Sequence, residues 1–372
     1  MKRKIALIFG TRPEVIKLFP LIQLNKELKQ FEFLLISTAQ QKNLLEIALK
    51  EFNIKPEVSL KSIYGEGMTT SLGVMLSQLG TILSNSKPDL VVVQGDTTTA
   101  FAGACAGSLN RIPVAHIEAG LRSGTRTRPF PEEVFRQAIS RFSNLHFAPT
   151  KDAVQNLLLE NINEESIFHV GNTIVDSLKL QISNIEVEAR EPNKVNFLVT
   201  LHRRENFEFG IKEVCLGIKK FSRKKNDVNF NIVIHSNPVA RKEIEHILQN
   251  TSGISLLNGT TRREFIKALI KSDCVITDSG GVQEESFLLG KKLFIARTET
   301  ERPEVLYGDS EILELERNLI ADRLQRFYID QISKIKDVET QIVFDEKTIL
   351  GNGESADRIF SILEEFFENY MG

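Results

Sequence analysis

The stretch Ile5–Lys29, IALIFGTRPEVIKLFPLIQLNKELK, decides the fold. Ile5–Phe9 is an apolar run without alternation, the pattern of a strand buried on both faces. Gly10 permits a tight turn, and Pro13 suits a first helical position. From Thr11 to Lys29, the residues Val15, Ile16, Phe19, Leu21, Ile22 and Leu28 fall near one helical face. Strand, short turn and amphipathic helix make the repeating unit of a parallel sheet covered by helices.

Working outward, the unit recurs. Phe33–Ile36, Leu90–Val93, Val114–Ile117 and Leu145–Ala148 read as further strands, with helical patterns at Thr69–Leu83 and Thr98–Leu109. A second series places strands at Val195–Leu201, Asn229–Ile234, Ile254–Leu257, Cys274–Thr277 and Leu293–Ala296. Helices are expected between them at Ile211–Phe221, Ala240–Leu248, Arg263–Leu269 and Val282–Leu289. The polar stretch Ile182–Asn193, ISNIEVEAREPN, reads as the link between two Rossmann-like halves. Ser355–Tyr370 is a strongly amphipathic helix with Ile359, Phe360, Ile362, Leu363, Phe366 and Phe367 on its apolar face.

Composition agrees. A chain of 372 residues, 41% hydrophobic and 26% charged, is an ordinary globular sequence too long for one core. General disorder is excluded by the apolar fraction. A net charge of -2 gives no global attraction to nucleic acid or an anionic membrane, yet allows a locally basic pocket. Cys105, Cys215 and Cys274 form no CxxC pair and read as buried small hydrophobes in a reducing compartment. The IALIF run is too short for a signal peptide, and no stretch approaches the ~20 apolar residues of a membrane span. The chain is therefore expected in the cytoplasm. No G-x-G-x-x-G or Walker A stands at a strand–helix junction, and no metal motif occurs.

Ligands on such sheets sit beyond the carboxyl ends of the strands. Gly10-Thr11-Arg12-Pro13-Glu14 opens a helix whose N-terminus attracts anions, with Arg12 and Lys17 adding charge; a well-capped helix explains it equally. Gln94-Gly95-Asp96 followed by Thr97, Thr98 and Thr99 offers a carboxylate or plain capping. Glu118 ends a strongly apolar strand, where a carboxylate is costly without partners. Pro131, at a first helical position, precedes Glu132 and Glu133. Grouped carboxylates at Asp96, Glu118 and Glu132 can divide acid and base roles. In the second half, His202-Arg203-Arg204-Glu205-Asn206 is the densest polar cluster, and His235 ends the next strand as a structural histidine. Ser279, Gly280 and Gly281 could hold a diphosphate at a helix start, with Glu285 about one turn on to accept from a ribose diol. Arg297 and Arg302 are further candidate charges.

GTRPE at Gly10–Glu14, GDTTT at Gly95–Thr99, HIEAGLRS at His116–Ser123 and PFPEE at Pro129–Glu133 stand in this order. HRREN at His202–Asn206, DSGGVQEE at Asp278–Glu285 and TERPE at Thr300–Glu304 follow. Together they closely resemble the non-hydrolysing UDP-N-acetylglucosamine 2-epimerases across nearly the whole chain. The resemblance implies an α/β, GT-B-like fold with two Rossmann-like domains, parallel sheets and a deep interdomain cleft. Residues 1–181 would form the first domain, with a helix near 355–372 packing back on it, and residues 194–354 the nucleotide-binding domain. It implies a UDP-sugar substrate, no metal or nicotinamide cofactor, a homodimer, and a role in cell-surface polysaccharide biosynthesis. Asp96, Glu118 and Glu132 match the catalytic carboxylates, and His202 matches the histidine at the leaving diphosphate. Arg12, Lys17, Ser279, Gly280, Gly281 and Glu285 match nucleotide-binding positions.

The chain departs from the family pattern at three places. Gln40-Gln41-Lys42 replaces a frequent QHR run in a region that serves allosteric activation in bacterial members. Phe135 stands before Arg136 where an Asn is usual. Arg126 and Arg128 add charge near the sugar end, which keeps a related UDP-diacetamido sugar open as substrate. A hydrolysing epimerase, a GT-B glycosyltransferase and a silent nucleotide-sugar binder are the competing readings.

Overall fold

The first strand, β1 (Lys4–Phe9), is buried from Ile5 onward because it lies inside a parallel sheet rather than at its edge. The computed structural model describes residues 2–61, 67–124, 129–183, 185, 186, 191, 193–201, 209–223, 225–234, 237–300, 302–332 and 349–371. Their contacts divide into two units, Met1–Leu180 with Glu346–Gly372, and Gln181–Asp345.

In the first unit the chain runs through α1 (Arg12–Leu28), β2 (Glu32–Ser37), α2 (Lys42–Glu51), β3 (Val58–Ser59), α3 (Met68–Ser86) and β4 (Leu90–Gln94). It continues through α4 (Thr98–Leu109), β5 (Val114–Ile117), α5 (Glu132–Phe142), β6 (Leu145–Ala148), α6 (Lys151–Leu159), β7 (Ile167–His169) and α7 (Thr173–Ile182). The seven-stranded parallel sheet has the order β3-β2-β1-β4-β5-β6-β7. The turns after β1, β4 and β5 are therefore neighbours. Glycines let α4 lie close on the sheet: a Cβ at Gly103 would stand 2.8 Å from a Val93 methyl.

The second unit comprises β8 (Val195–Thr200), α8 (Gly210–Ser222), β9 (Val228–Val233), α9 (Pro238–Leu248), β10 (Ile254–Leu257) and α10 (Arg262–Lys271). Then come β11 (Cys274–Thr277), α11 (Gly280–Leu288), β12 (Lys292–Ile295), β13 (Ser310–Ile312) and α12 (Arg317–Ile332). Its six strands pair in the order β10-β9-β8-β11-β12-β13, all parallel. The last helix, α13 (Ser355–Met371), returns to the first unit, where Phe360 and Phe367 pack on Phe31 at ring distances of 5.3 and 5.9 Å.

Both parallel sheets follow the expected α/β plan, with differences in detail. β3, β7 and β13 hold two or three residues each, too few for a hydrophobic period. Helices α2, α6, α7 and α12 go beyond the expected set. Leu28 is 56% exposed, because α1 ends there and Lys29 turns left-handed at φ 53°. Pro131 stands one place before α5 as its N-cap rather than inside it. Cys215 and Cys274 are buried, but Cys105 is only partly so. No helix among the described residues is long and apolar enough to cross a membrane.

The core of the second unit centres on Phe197, fully buried, stacked on Phe230 at 4.4 Å and edge-on to Phe221 and Phe327 at 5.9 and 5.7 Å. Phe197→Ala is expected to cost about 3–5 kcal/mol, seen as a lower urea midpoint. Leu159→Ala, at a position 80% exposed, should change stability by less than about 0.5 kcal/mol.

Candidate active site

Gly10 leaves β1 under a steric constraint. A Cβ there would come 2.0 Å from Thr38 Oγ1 and 2.2 Å from Thr99 Oγ1. Those two hydroxyls are themselves bonded at 2.7 Å, and Gln40 Oε1 accepts from Thr99 N and Oγ1 at 3.0 and 2.8 Å. The turn then enters α1 through a capping box made by Thr11 and Glu14. Glu14 is 1% exposed. Its Oε2 accepts from Gly10 N at 2.9 Å and Thr11 N at 2.7 Å, and its Oε1 accepts from Thr97 Oγ1 at 2.6 Å. Burial outweighs these three bonds and raises the Glu14 carboxyl to a pKa of about 7. Arg12, partly buried, occupies the first position of the same helix.

The turn after β4 carries Asp96, which pairs with Arg136 Nη2 of α5 at 2.6 Å. Arg136 is buried and also donates to Glu133 Oε2 at 3.0 Å, so one guanidinium serves two carboxylates. Glu133 further accepts from Ser123 N and Oγ at 3.0 and 3.1 Å. Glu132 is the first residue of α5, where the helix dipole favours an acid. His116 of β5 fixes the Asp96 turn from below, its Nε2 lying 2.7 Å from Gly95 O. A carbonyl only accepts, so Nε2 carries the proton. Burial holds His116 neutral, with its pKa lowered to about 4.

Glu118 follows β5 at φ 69°, a conformation that costs a residue with a side chain about 1–3 kcal/mol and clusters at functional sites. It is buried, and its Oε2 accepts from Lys17 Nζ at 2.5 Å and from Gln94 Nε2 at 2.6 Å. Lys17, expected at nucleotide phosphates, is thus engaged with a carboxylate in the first unit.

In the second unit β11 ends at Thr277, whose Oγ1 accepts from Ser279 N at 3.0 Å and shares a bond with Thr200 Oγ1. Ser279 is the N-cap of α11 but its side chain makes no capping bond. Among the described residues, no atom beyond its chain neighbours and its own helix backbone lies within 4 Å of where a Gly281 Cβ would be. Glu285 is buried and held by Arg262 in a bidentate pair, at 2.6 and 3.0 Å. A carboxylate has about four acceptor positions, so a ribose diol would share Glu285 with Arg262. Arg302 donates to buried Glu284 at 2.7 Å. Arg297 is buried at the end of the next strand.

The structure therefore draws Asp96, Glu118, Arg12, Lys17 and Glu132 to adjacent turns and helix starts of one unit, and Ser279, Gly280, Gly281 and Glu285 to one helix of the other. His202, His235, Arg126 and Arg128 lie outside the described residues. Sequence reasoning missed Gln94, Arg136, Glu14 and Arg262. Gln94 had a signal as a polar residue ending an apolar strand, and Glu14 as the third residue after a Thr cap. Arg262 had none, being 23 residues from its partner.

The family model for UDP-N-acetylglucosamine 2-epimerase matches residues 23–364. The UDP-N-acetylglucosamine 2-epimerase of Escherichia coli strain K12 is 34% identical over 375 residues, covering 97% of this chain and 98% of its own. The fold superposes on the crystal structure of UDP-GlcNAc 2-epimerase from Neisseria meningitidis bound to UDP-GlcNAc, with a TM-score of 0.87 and 32% identity over 97% of this chain and 100% of that one. The enzyme from Methanocaldococcus jannaschii in complex with UDP-GlcNAc and UDP gives a TM-score of 0.80 and 32% identity, over 98% of this chain and 100% of that one.

The raised Glu14 pKa has a signed consequence for stability. The folded form holds the proton up to about pH 7, whereas an unfolded Glu releases it near 4.5. Its contribution is complete below the lower value and is lost as pH rises through the upper one. Relative to Glu14→Gln, the native protein should lose about 3 kcal/mol between those limits. Unfolding of both proteins between pH 4.5 and 8 checks this, and a constant difference would contradict it.

Proposed function

The chain belongs to the UDP-N-acetylglucosamine 2-epimerase family, and we propose from that premise that it interconverts UDP-GlcNAc and UDP-N-acetylmannosamine without net hydrolysis. One observation carries the reading. Two carboxylates, Asp96 and Glu118, stand on the turns after neighbouring strands, and Glu118 is held in a costly backbone conformation by donors from Lys17 and Gln94. A fold seeking stability alone would place neither a left-handed Glu nor a buried acid there.

The chemistry accounts for several acids in one place. The C2 hydrogen of a 2-acetamido sugar is weakly acidic, so direct abstraction is slow. If a carboxylate removes it while the bond from C1 to oxygen breaks, the C–H electrons become the C1–C2 double bond. The leaving pair goes to the β-phosphate oxygen of UDP, and 2-acetamidoglucal remains. Protonation of C2 from the other face and return of the UDP oxygen to C1 gives the epimer. The cycle is redox-neutral and on this reading needs no nicotinamide or metal. Asp96, Glu118 and Glu132 supply acid and base on the two sugar faces. Arg12 and Lys17 are nucleotide-binding positions by family resemblance, Arg12 adding positive charge for the phosphates while Lys17 also donates to Glu118. Ser279, Gly280 and Gly281 at the start of α11 receive the diphosphate, Glu285 the ribose, and His202 assists the departing group. By family resemblance the protein works as a homodimer in the cytoplasm and serves surface-polysaccharide synthesis.

Proton NMR of UDP-GlcNAc with the protein in heavy water tests this directly. The expected product is UDP-N-acetylmannosamine carrying deuterium at C2. Free N-acetylmannosamine rising one-for-one with UDP would assign a hydrolysing enzyme instead. Inversion that required an added acceptor would assign a glycosyltransferase. Glu118→Gln should keep UDP binding and lose roughly 100-fold or more in turnover. Arg12→Ala should weaken UDP binding by about tenfold, measured by calorimetry.

A further inference from the structure

Glu14 does more than a capping box requires. The cap is complete once its Oε2 receives Thr11 N; the additional bond, from Thr97 Oγ1 to Oε1, crosses 83 residues of sequence. Thr97 is the residue after Asp96, and its hydroxyl also receives Ala100 N at 3.0 Å as the N-cap of α4. One turn further along α1, Lys17 reaches Glu118. A single helix thus touches both carboxylate-bearing turns, Glu14 the one after β4 and Lys17 the one after β5.

We infer that Glu14 is a positioning residue for the epimerisation: by binding Thr97 it sets where Asp96 stands relative to Glu118. Glu14 itself does not touch the sugar. Its carboxylate fixes the register of three helix starts, α1 through Gly10 and Thr11, α4 through Thr97, and α5 through the Asp96–Arg136 pair that the same turn carries. Reaction geometry is sensitive to such registers, since a displacement of about 1 Å costs on the order of 100-fold in rate.

The inference rests on the epimerase reading and is tested with the full chain. Turnover of UDP-GlcNAc and the UDP dissociation constant are measured at pH 8, where the Glu14 carboxyl is ionised, for the native protein, Glu14→Gln, Thr97→Val, Thr97→Ser and the double variant Glu14→Gln/Thr97→Val. Glu14→Gln keeps an oxygen for Gly10 and Thr11 but presents a donor toward Thr97. The expected result is a fall in kcat of about 10- to 100-fold in Glu14→Gln and in Thr97→Val, with KM and UDP affinity within twofold. Thr97→Ser should recover kcat to within threefold of the native value. The double variant should be no worse than the poorer single one, because both lesions remove one shared bond. A Glu14→Gln kcat within twofold of native overturns the inference alone, as do losses that multiply in the double variant. An inactive native protein overturns the epimerase reading and this inference with it.

Discussion

A buried ammonium answering a buried carboxylate, Lys17 to Glu118, is the contact on which the first unit's functional end depends. Both side chains are almost wholly removed from water. Stripping either one of its partner would leave an uncompensated charge in the protein, a loss of about 3–5 kcal/mol. The pair therefore ties α1 to the turn after β5 at one defined point. α1 cannot shift along the sheet without leaving Glu118 behind, and the turn after β5 cannot relax from its left-handed conformation without abandoning Lys17.

The same device recurs in a graded form. Arg136 joins Asp96 to Glu133, Arg262 grips Glu285 with two bonds, and Arg302 meets Glu284. In each case an acid at a turn or in the first two turns of a helix is answered by a cation from a different element or the next turn. These pairs gather charge beyond the carboxyl ends of the strands, while the sheets below are made mainly of Val, Ile, Leu and Phe, with buried His116 and His146 bonded to backbone carbonyls. Polar complexity is concentrated where ligands meet open α/β sheets.

Much of this was written locally in the sequence. Long apolar runs such as Leu90–Val93 and Cys274–Thr277 announced interior strands, and the acids following them announced the candidate site. What escaped was of two kinds. Strands of two or three residues, β3, β7 and β13, carry no period because their partner strand, not their composition, makes them strands. Pairings across many residues, such as Arg262 with Glu285 or Glu14 with Thr97, are set by topology. α12 was within reach, since Ile320, Leu324 and Phe327 are spaced as a helix face. Sequence resemblance singled out Lys17 as a nucleotide-binding position, and the fold gives it a carboxylate partner that spacing alone could not disclose.

The return of α13 ties the end of the chain to its beginning. Ala356 N donates to Asp176 at 2.9 Å, Arg358 donates to Val170 O, and Phe360 and Phe367 cover Phe31. Gln181–Asp345 is by contrast one unbroken stretch. During synthesis at about 5–20 residues per second, the half that leaves the ribosome first is thus the last to be finished. Its early strands wait, with Phe31 uncovered, until α13 has been made, so a nascent chain stopped between Asp345 and α13 would carry a completed second unit and an unsealed first one.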